Sequence, residues 1–128
     1  MMSAIFTFGH KPMTMVSIIH NPRCSKSRQT LALLEERDCE IQIVEYLKFP
    51  LNKNEIEDLL TKLGLSAREL MRTKETEYKE QELANTNLTE EQLIQAIVDT
   101  PKLLERPIVL ANDKAAIGRP PENVLAIL

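Results

Sequence analysis

One cysteine in this chain stands where a thiol can do chemistry. Cys24 lies in the run His20-Asn21-Pro22-Arg23-Cys24-Ser25-Lys26-Ser27-Arg28. Before it comes the short β-branched stretch Val16-Ser17-Ile18-Ile19. After it comes Gln29-Thr30-Leu31-Ala32-Leu33-Leu34-Glu35-Glu36, a good helix former. A cysteine between the two sits at a strand-to-helix turn, where the first N–H groups of the helix point outward and favour negative charge. A free thiol titrates near about 8.5, and a helix N-terminus with nearby cations lowers that value by several units. His20, Arg23, Lys26 and Arg28 are the local sources of positive charge. An inert cysteine acting as a small hydrophobe has apolar sequence neighbours, and Cys24 does not. The run therefore reads as a reactive thiol that handles an anion.

Spacing narrows the chemistry. Low-molecular-weight phosphatases place an arginine six residues after the nucleophile, and that position here is Thr30. Dithiol oxidoreductases place a second cysteine three residues on, and that position is Ser27. Cys24-Ser25-Lys26-Ser27 is a monothiol arrangement, which needs an external thiol to finish a redox cycle. Three arginines stand in apolar settings: Arg72 after Leu70-Met71, Arg106 before Pro107-Ile108-Val109, and Arg119 between Gly118 and Pro120. Guanidinium forks bind tetrahedral oxyanions through paired hydrogen bonds. Arg106 and Arg119 each precede a proline at the end of an element, where the backbone is stiff. The other cysteine, Cys39, falls in a polar stretch after the first helix and reads as incidental rather than as a resolving thiol.

The elements that must hold these groups follow from pattern. A strand at Val16–Ile19 is broken by Asn21-Pro22. A helix begins near Ser25, with Ser or Cys at its cap, and runs to about Arg37. A second strand covers Ile41–Tyr46. Strand, helix, strand in so short a span predicts a parallel βαβ unit. Asn52 or Asn54 caps a helix to Leu63, stopped by Gly64. Ser66 starts a short helix that carries Arg68 and Arg72. Residues 73–88 are polar and read as irregular, with a few short turns. Thr89 with Gln92 matches a capping box for a helix to Asp99. Pro107-Ile108-Val109-Leu110 and Lys114-Ala115-Ala116-Ile117 form a hairpin about Asn112-Asp113, and a last helix covers Glu122–Leu128. This order predicts an α/β fold with the thioredoxin layout: a mixed four-stranded sheet flanked by helices, with a helical insertion between the βαβ and ββα halves. In that layout the strand opening at Arg106-Pro107 carries a cis-proline that faces the reactive cysteine, so Pro107 is the candidate.

Composition sets the outer bounds. The 128 residues fit one domain with a hydrophobic core, and a formal net charge of −3 gives no electrostatic case for nucleic acid. No apolar stretch approaches the roughly 20 residues of a membrane span. Two cysteines without a CxxC pair or zinc spacing make neither a disulfide scaffold nor a metal site. The expectation is a cytoplasmic protein that binds no metal. Residues 1–14 lack the basic start of a signal peptide and read as a disordered leader or an upstream-start extension. Residues 15–128 read as a single domain.

With these residues in view, the chain resembles the glutaredoxin-coupled arsenate reductase family, in a chromosomal branch. The resemblance rests on His20 to Arg28, Leu70-Met71-Arg72, Glu105-Arg106-Pro107-Ile108-Val109 and Gly118-Arg119-Pro120-Pro121, in order from about residue 15 to residue 128. It implies that Cys24 is the nucleophile and that His20 helps keep it ionised. Ser27 and Arg28 match the family's serine and arginine after the cysteine, and Arg72, Arg106 and Arg119 match its oxyanion arginines. Many members continue past the last helix, whereas this sequence ends at Leu128. The charged Arg23 and Lys26 replace the small, uncharged surroundings of the best-studied members.

The implied reaction is attack of the thiolate on arsenate, followed by glutathione and glutaredoxin. Glutathione is a co-substrate, no cofactor is bound, and a monomer is expected. Two other readings share the residues. One is a glutathione-linked thiol reductase of another oxyanion or substrate. The other is an RNA-polymerase-binding regulator of the same fold, against which the missing CxxC switch counts.

Overall fold

The structure, a computed structural model, describes residues 14–128. Its first strand, β1 (Thr14–His20), alternates its side chains between two faces. Val16 and Ile18 turn to one layer, and Ile19 turns to the other. Strand β2 (Cys39–Glu45) runs parallel to β1, in register from Thr14 opposite Cys39 to His20 opposite Glu45. The crossover between them is helix α1 (Ser25–Glu35). On the other side of β1 lies β3 (Ile108–Ala111), antiparallel to it, and beyond that β4 (Lys114–Ile117), antiparallel to β3. The sheet order β2-β1-β3-β4 is the mixed four-stranded thioredoxin-like sheet expected from the element order. Asn112 and Asp113 turn the β3–β4 hairpin with φ of 51° and 64°. Asn and Asp tolerate that left-handed region better than other non-glycine residues.

The insertion is helical, and local chemistry fixes its starts. Helix α2 (Lys53–Leu63) has a reciprocal capping box between Asn52 and Glu55 and ends on Gly64 at φ 67°. The short α3 (Ala67–Leu70) has a box between Ser66 and Glu69. After the one-turn α4 (Thr76–Glu80) comes α5 (Glu90–Asp99), boxed by Thr89 and Gln92. Each such cap stabilises its helix by about 1 kcal/mol. A 3₁₀ turn at Pro101–Leu103 then leads back to the sheet, where Met71 bridges Leu104. Two apolar layers result. Ile19, Ile56, Leu59, Leu70, Ile97 and Ile108 fill the layer under the insertion. Val16, Ile18, Leu34, Val109 and Val124 fill the layer under α1 and the C-terminal segment.

Several boundaries differ from expectation. Residues 73–88 contain α4 rather than only turns. It buries no residue of its own, so it has no apolar stripe to read. Its place is fixed by Arg68, which donates to Tyr78 Oη at 2.8 Å, to the Leu83 carbonyl, and to the Asn85 carbonyl at 3.1 Å. The last helix, expected over 122–128, is a 3₁₀ helix at Pro121–Ile127. Strand β2 starts at Cys39, so that cysteine belongs to the sheet and not to a loop. The leader is expected over residues 1–14; residues 1–13 lie outside the described residues, and Thr14 opens β1.

Candidate active site

The site forms where β1 gives way to α1. Cys24 is the N-cap of α1, extended at φ −92° and ψ 124°, and its side chain makes no capping bond. Its N–H donates to the Asn21 carbonyl at 3.0 Å, and its own carbonyl accepts from Arg28 N–H at 3.0 Å. The sulfur is thus left over at a helix start, where the first-turn amides have no intrahelical partner. Despite its polar sequence neighbours, Cys24 is only 8% exposed.

The four local cations divide their roles. Arg23 and Lys26 are exposed. Arg28 donates from Nη1 to the Pro22 carbonyl at 3.0 Å and so braces the turn. His20 is buried, and its Nδ1 lies 2.6 Å from Ser27 Oγ. That hydroxyl also accepts the Asn21 N–H at 3.0 Å. Burial pushes the His20 pKa below its ordinary value. Glu45, facing it across the sheet, partly opposes this, and the positive Arg28 reinforces it. His20 is therefore neutral near pH 7 and sets the shape of the turn through Ser27, without adding positive charge there. The cation at the sulfur comes from the far end of the chain: Arg119 Nη2 lies 3.5 Å from Cys24 Sγ.

Arg119 is held by its own surroundings. Its Nε donates to the Arg106 carbonyl at 2.8 Å and lies 3.3 Å from Glu105 Oε1. Arg119 follows Gly118, whose N–H donates to the Pro107 carbonyl at 2.9 Å. A Cβ on Gly118 would stand 2.5 Å from Thr30 Oγ1 and 2.8 Å from Pro107 Cγ, so only glycine lets this backbone pass. The Arg106–Pro107 bond is cis, as expected, and the Arg119–Pro120 bond is cis as well.

Arg72 pairs with Glu75 at 2.8 Å and stands 3.8 Å from Glu105. Arg106 differs from both: its Nε and Nη1 are buried with no hydrogen-bond partner among the described residues. Buried guanidinium donors without an acceptor carry an uncompensated desolvation cost. Met71, Arg72, Thr73, Lys74, Glu105 and Arg119 line a cavity of about 300 Å³. A larger groove of about 510 Å³, between the sheet and α2, shares no residue with it, and neither is lined by Cys24 or Arg106. Among the described residues no cluster of three or more His, Cys, Asp or Glu could hold a metal ion. Cys39 donates from Sγ to the Leu34 carbonyl at 3.1 Å, and burial together with Asp38 pushes its thiol pKa up. That is the setting of an unreactive thiol.

Two members of the site have no assigned role in the sequence reading. Tyr46, directly after β2, is 2% exposed. Burial pushes its phenol up to about 12, with Cys24 and Glu105 adding to the shift and Arg72 and a hydrogen bond with Asn21 opposing it. It stays a neutral donor beside the thiol. The usable signal was topological: sites in parallel sheets collect at the carboxyl ends of the strands, and Tyr46 follows Glu45, the partner of His20. Glu105 stood inside the quoted Glu105-Arg106-Pro107 motif, but its reach to two arginines is a tertiary fact.

A cysteine at a helix start with a guanidinium beside its sulfur, and a cis-proline leading into β3, stand on a sheet of thioredoxin-like order. Residues 19–127 match the ArsC family, and the chain belongs to that family. It is 61% identical over 114 residues to the Escherichia coli (strain K12) protein YfgD, covering 88% of this chain and 96% of that one. It is 56% identical over 117 residues to a Neisseria meningitidis protein named arsenate reductase, covering 91% of this chain and all 100% of the relative. A solved structure of an arsenate reductase from Vibrio cholerae superposes with a TM-score of 0.89 at 47% identity, covering 91% of this chain and 100% of that one.

Proposed function

We propose that the protein is an arsenate reductase that uses glutathione and glutaredoxin. The observation that carries this reading is the Arg119 guanidinium 3.5 Å from a cysteine sulfur at the N-cap of α1. The sulfur there has a cation beside it and lies at the positive end of the α1 dipole. The names of the similar proteins support the choice of arsenate.

In this mechanism the Cys24 thiolate attacks arsenic(V), a sulfur–arsenic bond forms, and one arsenate oxygen leaves as water after protonation. Arg106 offers its two unpartnered donors to the arsenate oxygens, and Arg72 and Arg119 neutralise the charge that builds on them. Glutathione then adds its sulfur to arsenic with loss of a second water. The glutaredoxin thiol takes up the glutathione sulfur as a mixed disulfide. Two electrons from that thiol pair reduce arsenic to the trivalent state, and arsenite leaves after hydrolysis. His20, Ser27 and Arg28 hold the turn that presents the thiol, and Tyr46 remains a protonated donor beside it. The electrons come from external thiols, so the chemistry needs no resident metal or organic cofactor.

The reaction requires a reducing compartment, so the protein acts in the cytoplasm. Among the described residues no helix is long and apolar enough to cross a membrane.

Cys24→Ser tests the reading. Arsenate reduction with glutathione and glutaredoxin should disappear, while arsenate binding by calorimetry should persist within a few-fold. A serine variant that still reduces arsenate would remove Cys24 as the nucleophile.

A further inference from the structure

Glu105 places a carboxylate inside a site otherwise built for an anion. Its Oε1 accepts from the Arg106 N–H at 3.1 Å, and lies 3.3 Å from Arg119 Nε and 3.8 Å from Arg72 Nε. The backbone beneath it is fixed, because the Glu105 N–H donates to the Leu70 carbonyl at 2.9 Å beside the Met71–Leu104 bridge. The hydrogen bond and the two ion-pair distances all run to Oε1, and Glu105 lines the cavity together with Arg72 and Arg119. A carboxylate can only accept hydrogen bonds. An anion entering here meets two guanidinium donors and one group that demands a proton from it.

Tetrahedral anions divide on that demand. Arsenate and phosphate keep at least one proton near neutral pH and can donate an O–H to Oε2 while their other oxygens accept from the arginines. Sulfate has the same shape but keeps no proton there, so it faces Glu105 with like charge and no hydrogen bond to give. A site that demands a hydrogen bond rejects a ligand unable to make it far more strongly than a fit in shape alone would. We propose that Glu105 is a specificity-determining residue that selects protonated tetrahedral oxyanions and turns away fully deprotonated ones. This deepens the oxyanion reading above and rests on it.

The test uses phosphate and sulfate, which the thiol does not reduce. Both are titrated calorimetrically at neutral pH into the wild-type chain, Glu105→Gln and Glu75→Gln. The last variant removes the carboxylate 2.8 Å from Arg72 but leaves Glu105 in place. The wild type should prefer phosphate by about tenfold or more, the scale of one charge-assisted hydrogen bond gained against one repulsion. Glu105→Gln should gain sulfate affinity by a similar factor, so that the ratio collapses. Glu75→Gln should shift both anions together and keep the ratio. An unchanged ratio in Glu105→Gln, or an equal collapse in Glu75→Gln, overturns the role of Glu105 while leaving the oxyanion site standing. If neither anion binds any of the three proteins, the oxyanion site itself falls, and the proposal with it.

Discussion

Arg119 shows how much one side chain is asked to do. Its Nε–H donates to the Arg106 carbonyl with the Glu105 carboxylate beside it, while Nη2 reaches the Cys24 sulfur. Lysine offers the same charge as a point at the end of a flexible stem and cannot reproduce that fork. Arg119→Lys should therefore lower kcat/KM for arsenate by about 10²–10³, the usual cost of one preorganised donor. The melting temperature should move little, because the residue is partly exposed. Steady-state kinetics with saturating glutathione and glutaredoxin would check this, and a near-wild-type value would show that charge alone suffices. The sequence pointed to Cys24 and the three arginines by residue type and by neighbouring prolines. It could not say which cation meets the sulfur. Local candidates outnumbered Arg119, yet His20 is kept neutral by burial and Arg28 is turned onto a carbonyl. Partner choice among charged side chains is decided in three dimensions, across 95 residues of chain in this case.

At the scale of elements, the site depends on how closely β4's exit passes α1. Gly118 is the contact point, with Thr30 and Pro107 pressed against the space a side chain would fill. Thr30 is fully buried and its hydroxyl is already bound to the Lys26 carbonyl at 2.8 Å, so it cannot swing away without loss. Gly118→Ala should cost about 1–3 kcal/mol, as overpacking of a filled interior does. It should also lower turnover, because Arg119 is the next residue. Urea unfolding would measure the first effect. Adding Thr30→Ala should recover only part of the loss, since the Pro107 contact remains. An alanine variant as stable as the wild type would show that the neighbours yield freely. Elements were legible in the sequence where a short motif decides them: Asn52 and Gly64 bracketing α2, Thr89 and Gln92 opening α5, Asn112-Asp113 turning the hairpin. They were illegible where distant contacts decide. Helix α4 buries nothing and hangs on Arg68, and the C-terminal segment settles as a 3₁₀ helix with Val124 and Pro121 as its buried residues.

At the scale of the whole molecule, the neutral buried imidazole of His20 ties the fold to pH. The folded state lowers its pKa from the ordinary value of 6.5, chiefly by burial. In the unfolded chain the ring takes up a proton as pH falls through that ordinary value, whereas in the folded protein it resists until lower pH. The unfolded state therefore binds more protons in this window, and stability must fall as pH falls. The stabilisation is fully present above 6.5 and is lost progressively as pH drops toward and through the folded-state value. Protonation would also put a cation beside Arg28 and recast the bond between Nδ1 and Ser27 Oγ, which fixes the turn before Cys24. Urea midpoints measured between about pH 7.5 and pH 5.5 should decline in the wild type, in a range where most carboxylates stay ionised. His20→Gln, which cannot titrate, should be less stable at pH 7.5 and should show a flatter profile. Equal slopes in the two proteins would mean that His20 is not the group that links the fold to protons.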